Sequence, residues 1–407
     1  CVQVVHSKNN VPEKDKEIQM NEVPQTVADF TALVAEMKSD ECYRAPKIWA
    51  VGAYVKTANG TIASVRYPVV NGPEQNTGSA VVLMKVLNIN PSNVQNVVLN
   101  KEQISKVLSY FVAFEGDGKK HANIEVLKKA LDSEAEIVTT FIFDDVDPQG
   151  VADSTLKLYA LSNRLFKPNQ LNLTKIFTKL PNVAWIGDTP MDMDEVETAL
   201  MSAAFDGGEY APHMVDKFPL YCHRINAVKM GVRITDAHKV RLGAYLGEGT
   251  TIMAGASYVN FNAGTEGASM VEGRISSSAF VGIGTDIGGG ASILGTLSGG
   301  NSVPISIGRN CLLEVNCALG IPIGDAVIIA AETAVMASSL VRVNIPDHQM
   351  HGCTMKAKAL AGINAVTFRR NDASGVLEVV RTERNLAFAR KLADGDSILS
   401  ADLHKNN

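Results

Sequence analysis

The second half of the chain carries a large aliphatic residue at every sixth position over most of residues 230 to 341. A period of six matches neither the roughly 3.6 residues of a helical turn nor the two-residue alternation of a plain strand. It is typical of a short strand followed by a tight corner, repeated along a coil. The aliphatic positions form four runs: Ile234, Val240, Leu246 and Ile252; Ile275, Val281, Ile287 and Ile293; Ile307, Leu313 and Leu319; and Ile323, Ile329, Val335 and Val341.

A second pattern accompanies the aliphatic one. A small residue stands two positions before most of the aliphatics, as at Ala244, Thr285 and Cys311, and glycine often follows them, as at Gly282 and Gly308. Stacked coils of three units would bury both kinds of residue in one continuous core, while glycine lets the backbone bend at the corners. These features are similar to those of left-handed parallel β-helices, an exception to the usual right-handed crossover.

The period breaks at three places, residues 253–274, residues 294–306 and Gly320–Pro322. Because a solenoid tolerates insertions only as external loops, loops are expected at these breaks. The pattern ends at Pro346. Residues 347–407 are therefore expected to form a cap over the last coil.

The first half predicts a mixed α/β fold without repeats. Helical patterns cover Gln25–Lys38, Asn123–Asp132, Val151–Leu165 and Met193–Phe205, and strand patterns cover Ile48–Val55, Val81–Val86 and Ile137–Phe143. A linker is expected at Gly207–Gly208, Pro212 and Pro219. The predicted domains are an α/β domain at 1–210, a β-helix at 211–345 and a C-terminal cap at 346–407.

Composition and charge argue against several classes of function and location. The chain has 407 residues, a formal charge of −5 and a pI near 6.0, which argues against a nucleic-acid partner. No run of about 18 apolar residues exists to span a bilayer, and no signal peptide is recognisable, so a cytoplasmic protein without a membrane partner is expected. The cysteines are dispersed without the spacing of a zinc cluster, and they do not suggest a disulfide framework: Cys1, Cys42, Cys222, Cys311, Cys317 and Cys353.

Four segments carry a specific resemblance. They are GVRITDAHKVRLGAYLGEGTTIM (231–253), VNFNAGTEGASMVEGRIS (259–276), GGGASILGTLSGG (288–300) and FRRN (368–371). Residues 215–375 resemble the tetrahydrodipicolinate N-succinyltransferases, in particular the longer subgroup of actinobacteria and some proteobacteria. The N-terminal half matches that subgroup only in size and class.

The resemblance implies transfer of a succinyl group from succinyl-CoA to the nitrogen of tetrahydrodipicolinate, in diaminopimelate and lysine biosynthesis. It also implies a homotrimer with active sites between neighbouring copies. Glu272, the acid of MVEGR, would be the essential catalytic carboxylate, either as a general acid or base or as a covalent nucleophile. Gly295 matches a position beside the thioester carbonyl, where a backbone N–H can stabilise an oxyanion; a simple turn glycine is the alternative.

The same resemblance implies a binding site for the CoA co-substrate. Lys356, Arg369 and Arg370 would supply cations for phosphate groups, and apolar residues would line the pantetheine arm. The full implied set is Arg274, Gly289, Ser292, Val315, Ala330, Ala331, Lys356, Arg369, Arg370, Asn371 and Asp372.

Some family members hold Mg²⁺ through an Asp and a Glu on early coils. In this sequence His238 stands at the first position, and the segment MAGASYV (253–259) offers no acid at the second. The sequence therefore argues against a magnesium site by that route, and His238 is expected to pack or to line the trimer axis.

Other functions find less support in the residues. A hydratase of the γ-carbonic anhydrase type needs three zinc-binding histidines, and residues 230–345 contain only His238. A sugar-nucleotide enzyme would need a glycine-rich nucleotide loop, which neither Gly282-x-Gly284 nor GDGKK (116–120) supplies. Another acyl-CoA-dependent N-acyltransferase of this fold and a non-catalytic scaffold remain alternatives. Cys311 and Cys317 fall on the inward positions and are expected to be structural.

Overall fold

A computed structural model describes residues 23–206, 212–300 and 302–404 of the chain. The chain divides into two compact units. The first runs to Tyr54 and continues over Tyr67–Asp145, and the second takes up Val55–Arg66 and Val146 onward. The predicted linker glycines Gly207–Gly208 lie outside the described residues, and the three-domain division at residues 210 and 345 stays a prediction. Among the helices of the described residues, none combines the length and apolar character that crossing a bilayer requires.

The first unit contains a four-stranded sheet in the order β2-β1-β4-β3, in which β4 runs antiparallel to both of its neighbours. Its apolar core is built around Trp49, Phe141 and Phe143. Capping boxes at Thr26 and Asn100 start its first and third helices. The elements are α1 Val27–Ser39, β1 Ile48–Lys56, β2 Ile62–Asn71, α2 Thr77–Val86, β3 Val94–Leu99, α3 Lys101–Ser109, the 3₁₀ turn Val112–Phe114, α4 Ala122–Leu131 and β4 Ile137–Ile142.

Most of the predicted elements of the first half are confirmed, with ends that agree within three residues. The exception is Val81–Val86, predicted as a strand, which forms the second half of helix α2. Ala80 through Met84 are all buried, so this helix is apolar on every side. A fully buried helix and a buried strand give the same uninterrupted apolar run, and periodicity cannot separate them.

The second unit begins with short elements that precede the repeats. Helix α5 is buried from Ala152 to Ser162, and β5 lies between β6 and β7 in a small antiparallel sheet. Val55, Ala63, Val183 and Trp185 form a local core cluster. The elements are α5 Val151–Ser162, α6 Ile176–Lys179, β5 Val183–Ile186, β6 Thr189–Met191, α7 Glu195–Asp206, β7 Met214–Asp216 and α8 Tyr221–Arg224.

The repeat region builds three sheets of short parallel strands. From β9 to β20, successive strands enter sheets III, I and II in fixed rotation. Sheet I includes β8 Arg233–Ile234, β10 Thr251–Ile252, β13 Met270–Val271, β16 Asp286–Ile287, β19 Leu312–Leu313 and β21 Ile328–Ile329. Sheet II includes β11 Tyr258–Val259, β14 Arg274–Ile275, β17 Ser292–Ile293, β20 Ala318–Gly320 and β22 Ala334–Met336. Sheet III includes β9 Tyr245–Leu246, β12 Gly264–Thr265, β15 Phe280–Val281 and β18 Ser306–Ile307. The 3₁₀ turn Ala237–Lys239 lies between β8 and β9.

The six-residue pattern corresponds to the buried face of these strands. Every aliphatic residue of the four runs is buried except Ile234, which is half-buried in the first strand. Glycine after the aliphatic is required where corners stack: a Cβ on Gly308 would lie 2.3 Å from the carbonyl group of Gly324. Only glycine therefore fits at position 308, where one corner lies against the next.

The expected loop at residues 253–274 is wrong, whereas the loop at 294–306 is confirmed in its described part. Strands β11 to β14 continue the rotation through 258–275, with Val259, Thr265 and Val271 fully buried. The period was lost because the spacing from Ile252 to Val259 is seven and Thr265 is not aliphatic. The later segment folds back on itself, with Leu297 donating to the Val303 carbonyl at 2.8 Å.

The C-terminal residues extend sheet I and pack a helix on its end. Strand β25 pairs parallel with β21 and antiparallel with β26, which in turn pairs with β23. The buried Asn385 ties the start of helix α9 to this edge, because its amide donates to the Ala326 carbonyl and accepts from Thr367. The elements are β23 Leu340–Asn344, β24 Thr354–Lys356, the 3₁₀ turn Ala357–Leu360, β25 Thr367–Arg370, β26 Leu377–Val380, α9 Glu383–Ala393 and α10 Ala401–His404.

Candidate functional site

Corners between sheet I and sheet II stack into a column, called here the I–II edge. It contains the corners 272–273, 288–291, 314–317 and 330–333. Backbone hydrogen bonds link consecutive corners: Asn316 donates to the Gly289 carbonyl at 3.0 Å, and Glu332 donates to the Val315 carbonyl at 2.9 Å. The edge therefore brings Glu272, Gly289 and Val315 together, as well as Ala330 and Ala331.

Glu272 occupies the tightest of these corners. The spacing from Val271 to Ile275 is four residues instead of six, so Glu272 and Gly273 make the whole turn. A Cβ on Gly273 would lie 2.4 Å from the Ala291 carbonyl oxygen, which explains the glycine after the acid. Among the described residues, no side chain forms a hydrogen bond or ion pair with the half-buried Glu272 carboxylate. This carboxylate is free to accept a proton or attack an acyl group.

Gly289 lies next to that carboxylate. A Cβ at position 289 would sit 3.7 Å from Glu272 Oε2, at ordinary contact distance. Glycine at this position keeps the space beside the carboxylate open. A substrate atom can then approach the Glu272 oxygen from the side of the next corner.

Arg274 and Ser292 are neighbours across strands β14 and β17. They pair in register, and the exposed Arg274 guanidinium donates to Ser292 Oγ at 2.6 Å. These two members of the implied CoA set thus form one polar patch directly beside the Glu272 corner.

Ala331 lies beside Glu314 on the I–II edge. Its backbone N–H donates to Glu314 Oε2 at 3.1 Å, and Glu314 Oε1 accepts from Arg384 at 2.9 Å. The side chain of Val315 is 49% exposed and offers apolar surface at the same level of the edge. A ligand that used the Ala331 N–H would have to displace Glu314.

Strand β25 continues the I–II edge, because Ala330 donates to the Phe368 carbonyl at 2.9 Å. Arg369 then forms an ion pair with Glu378 at 3.0 Å, while Arg370 donates to the Gly375 carbonyl at 3.1 Å. Asn371 closes the following turn, and its Oδ1 accepts from Ala373 and Ser374 at 3.1 Å. Asp372 is exposed in that turn.

Gly295 lies elsewhere, on the corner that leads from sheet II to sheet III after β17, called here the II–III edge. A Cβ on Gly295 would lie 1.9 Å from the Ser277 carbonyl oxygen, so only glycine fits there. None of the hydrogen bonds formed by the described residues uses the Gly295 N–H, which leaves this donor available. Lys356 is the last residue of strand β24, at the end of the extended sheet I. It is exposed opposite Leu340, next to the Ala357–Ser339 backbone hydrogen bond.

The two edges are at opposite ends of the sheet II strands. The pairing of Arg274 with Ser292 places Glu272 level with Gly290, and Gly295 is five residues further along the chain. A fully extended path of five residues spans at most about 16 Å. Within one copy, Glu272 and Gly295 therefore lie on different edges, with strand β17 between the two corners.

The His238 side chain is 53% exposed, so it does not pack into the core, and its expected place at the trimer axis stays a prediction. Its backbone N–H and Nδ1 both lie near Asp236 Oδ1, at 3.0 and 3.1 Å. The described residues contain no group of three or more His, Cys, Asp or Glu side chains placed to hold a metal. Mg²⁺ prefers oxygen ligands, and an imidazole that engages the nearest carboxylate does not fit it.

Cys311 and Cys317 are confirmed as structural residues. Both are buried, and burial raises the pKa of each thiol to about 12. Neither thiol ionises near neutral pH, so neither serves as a nucleophile.

Three residues were missed from sequence: Glu314, Ser277 and Glu378. Glu314 and Ser277 carry no local signal, since their roles depend on the stacking of coils. Glu378 stands inside the apolar run LEVV, and a carboxylate in such a run is a recognisable sign of a buried, paired acid.

Comparison with known proteins shows the family of the chain. Family models described as tetrahydrodipicolinate N-succinyltransferase N-terminal and middle match residues 28–178 and 180–219. A 2,3,4,5-tetrahydropyridine-2,6-dicarboxylate N-succinyltransferase from Sulfurovum sp. is 36% identical over 389 residues, 89% of this chain and 98% of the relative. A relative of the same name from Nitratiruptor sp. is 38% identical, over 90% of this chain and 99% of its own.

A solved structure gives the same result. The Campylobacter jejuni protein described as a 2,3,4,5-tetrahydropyridine-2-carboxylate N-succinyltransferase superposes with a TM-score of 0.83 at 35% identity. The match covers 89% of this chain and 99% of that one. The similarity thus extends through the N-terminal half, which sequence inspection had matched only in size and class.

Proposed function

The chain belongs to the tetrahydrodipicolinate N-succinyltransferase family, and from this premise we propose that it transfers a succinyl group from succinyl-CoA to the nitrogen of tetrahydrodipicolinate. The products are N-succinyl-2-amino-6-oxopimelate and CoA, in diaminopimelate and lysine biosynthesis. The observation that carries the proposal is identity of 36% to 38% over about nine-tenths of the chain with relatives of that name.

Glu272 and Gly295 are the proposed catalytic groups. Water first adds across the C=N bond of the acceptor, which places a hydroxyl on the ring carbon and a proton on the ring nitrogen. This nitrogen attacks the thioester carbonyl and loses its proton, the C–N bond forms, the C–S bond breaks, and CoA leaves as the thiol. The ring carbon that bears the hydroxyl then releases the nitrogen, which regains a proton as the open-chain oxo product forms. Glu272 takes the proton from the attacking nitrogen or supplies one to the opening ring. The Gly295 N–H donates to the oxyanion that develops on the carbonyl oxygen. A covalent acyl-Glu272 intermediate is the alternative route.

The I–II edge is the proposed CoA site. The Arg274–Ser292 pair and the exposed Val315 side chain lie along it, and Arg369 continues it on β25. The phosphates would meet the cations Arg369 and Arg370, with Asn371 and Asp372 in the adjoining turn. Gly289, Ala330 and Ala331 would border the pantetheine arm. Lys356, in β24 at the end of the extended sheet I, would supply a further cation for the phosphates.

The architecture proposed for the repeat region is a left-handed parallel β-helix with hexapeptide repeats, closed by a small C-terminal cap. The fixed rotation of strands through three sheets and the pairing of β25 with β21 support it. We expect three copies to assemble with the I–II edge of each facing the II–III edge of the next. The position of Glu272 and Gly295 on different edges supports this arrangement, because facing edges of two copies would bring both residues into one site.

We also propose that the protein acts in the cytoplasm on small-molecule substrates. We propose neither a nucleic-acid partner nor a membrane partner. The free cysteines among the described residues suit a reducing compartment. The net charge of −5 gives no support to phosphate-backbone binding.

A thiol-release assay tests the activity. The protein is mixed with tetrahydrodipicolinate and, in separate reactions, with succinyl-CoA and other acyl-CoA donors. Thiol release that requires the acceptor and prefers succinyl-CoA supports the proposal. Release with a different donor alone would favour another N-acyltransferase of this fold, and no acceptor-dependent release with any donor would overturn the assignment.

A further inference from the structure

The carboxylate of Glu378 lies at the centre of a buried polar network. The side chain is only 4% exposed. Its Oε1 accepts from Arg369 Nε at 3.0 Å and from Asn371 Nδ2 at 3.3 Å, and its Oε2 accepts from Asn344 Nδ2 at 3.3 Å. One acid thus contacts two of the residues assigned to the CoA phosphates.

A buried carboxylate is costly unless it is paired and hydrogen-bonded. Burial alone would raise the pKa of Glu378, but the hydrogen bonds from Asn371, Asn344 and Arg369 outweigh it and hold the pKa below its ordinary value. The acid therefore stays ionised near neutral pH. An ionised, immobile carboxylate holds a guanidinium in one orientation.

Arg369 and Arg370 are not equivalent. Successive residues of a strand point to opposite faces, so the two guanidiniums lie on opposite sides of β25. Arg369 pairs across the hairpin with Glu378, whereas Arg370 pairs with Leu377. The Arg369 side chain is still 46% exposed, so the ion pair with Glu378 leaves part of the guanidinium group accessible to a ligand.

We propose that Glu378 is a positioning residue, which holds Arg369 and Asn371 as a preformed site for the phosphate groups of the acyl-CoA donor. The inference rests on the proposed function. In this arrangement Glu378 orients the Arg369 side chain before the donor arrives. Arg369 therefore loses little side-chain entropy when the donor binds. Arg370, which lacks this anchor, contributes less.

The test compares two donors on the full-length protein. Succinyl-CoA carries the nucleotide phosphates, and succinyl-pantetheine lacks them. Glu378→Gln is expected to raise the KM for succinyl-CoA about tenfold, the size expected when a charge-assisted hydrogen bond is lost. Its kcat at saturating donor and its kcat/KM for succinyl-pantetheine should stay within about twofold of wild type.

Three further variants separate a positioning role from a general loss of charge or structure. Glu383→Gln makes the same charge change at an exposed position close by in the chain and should leave both donors unaffected. Glu378→Asp keeps the charge and should recover part of the succinyl-CoA affinity, and it replaces Glu378→Gln if that variant does not fold. In an Arg369→Ala background, Glu378→Gln should cause no additional rise in KM.

An unchanged succinyl-CoA KM in folded Glu378→Gln would overturn the inference. An equal loss with both donors would also overturn it, because a merely structural role predicts that result. These outcomes are distinct from failure of the proposed function, in which the wild-type protein itself would not use succinyl-CoA.

Discussion

Gly295→Ala is expected to remove most of the turnover while leaving the molecule folded. The new Cβ would lie 1.9 Å from the Ser277 carbonyl oxygen, a contact between two backbone segments that no side-chain rotation can relieve. The backbone at 295 must therefore move away from the neighbouring coil. Its N–H, proposed to donate to the oxyanion, moves with it.

The magnitude follows from the overlap. Ordinary contact begins near 3.4 Å, so the two segments must separate by more than about 1 Å. A misplacement of about 1 Å can cost about 100-fold in rate, and loss of an oxyanion donor costs roughly 100- to 1,000-fold. We expect kcat to fall by at least about 100-fold. The same strain should destabilise the fold by about 1–3 kcal/mol, as in other overpacked sites.

Steady-state turnover at saturating substrates and thermal unfolding on the same preparation measure both effects. Gly150→Ala is the matched control, because its Cβ would meet only Asp153 Oδ1, at 3.7 Å, and its backbone is extended. That variant should keep full turnover. If Gly295→Ala folds and turns over like wild type, the Gly295 N–H has no part in the chemistry.

Three other predictions concern the same site. Glu272→Gln should lower turnover at least about 100-fold while leaving succinyl-CoA affinity and assembly intact, and near-normal turnover would remove Glu272 from the mechanism. An acylated wild-type Glu272 trapped by mass spectrometry would favour the covalent route. Arg369→Ala combined with Arg370→Ala should mainly raise the acyl-CoA KM, and an unchanged KM would show that these cations do not bind the donor. Light scattering should give about three chains per particle, and a stable, active monomer would refute the shared site.

The repeat region was predictable from sequence because its core is one-dimensional. Each buried aliphatic, such as Val281 or Ile307, meets the equivalent residue of the next coil, so period alone identifies it. The prediction failed where spacing and residue type changed together, at Thr265 and at the short corner of Glu272. It also failed at Val81–Val86, where burial on all sides removes the periodicity that distinguishes a helix.

The site residues came from the resemblance, whereas their arrangement required coordinates. Sequence places Glu272 and Gly295 only 23 positions apart, yet they lie on different edges of the coil. The contact between Gly295 and Ser277 and the hydrogen bond from Ala331 to Glu314 join residues of different coils. No local sequence pattern predicts such contacts. Which residues stack on one another depends on the lengths of all the corners that lie between them in the chain.

The central claim is that each active site combines Glu272 of one copy with Gly295 of its neighbour. Its most direct measurement is the turnover of mixed particles, assembled from equal amounts of Glu272→Gln and Gly295→Ala chains. Each parent alone should be nearly inactive. With random assembly, one interface in four pairs an intact Glu272 with an intact Gly295, so turnover should recover to about one quarter of wild type. Mixed particles no more active than the two parents would contradict the shared site and place both residues in a single copy.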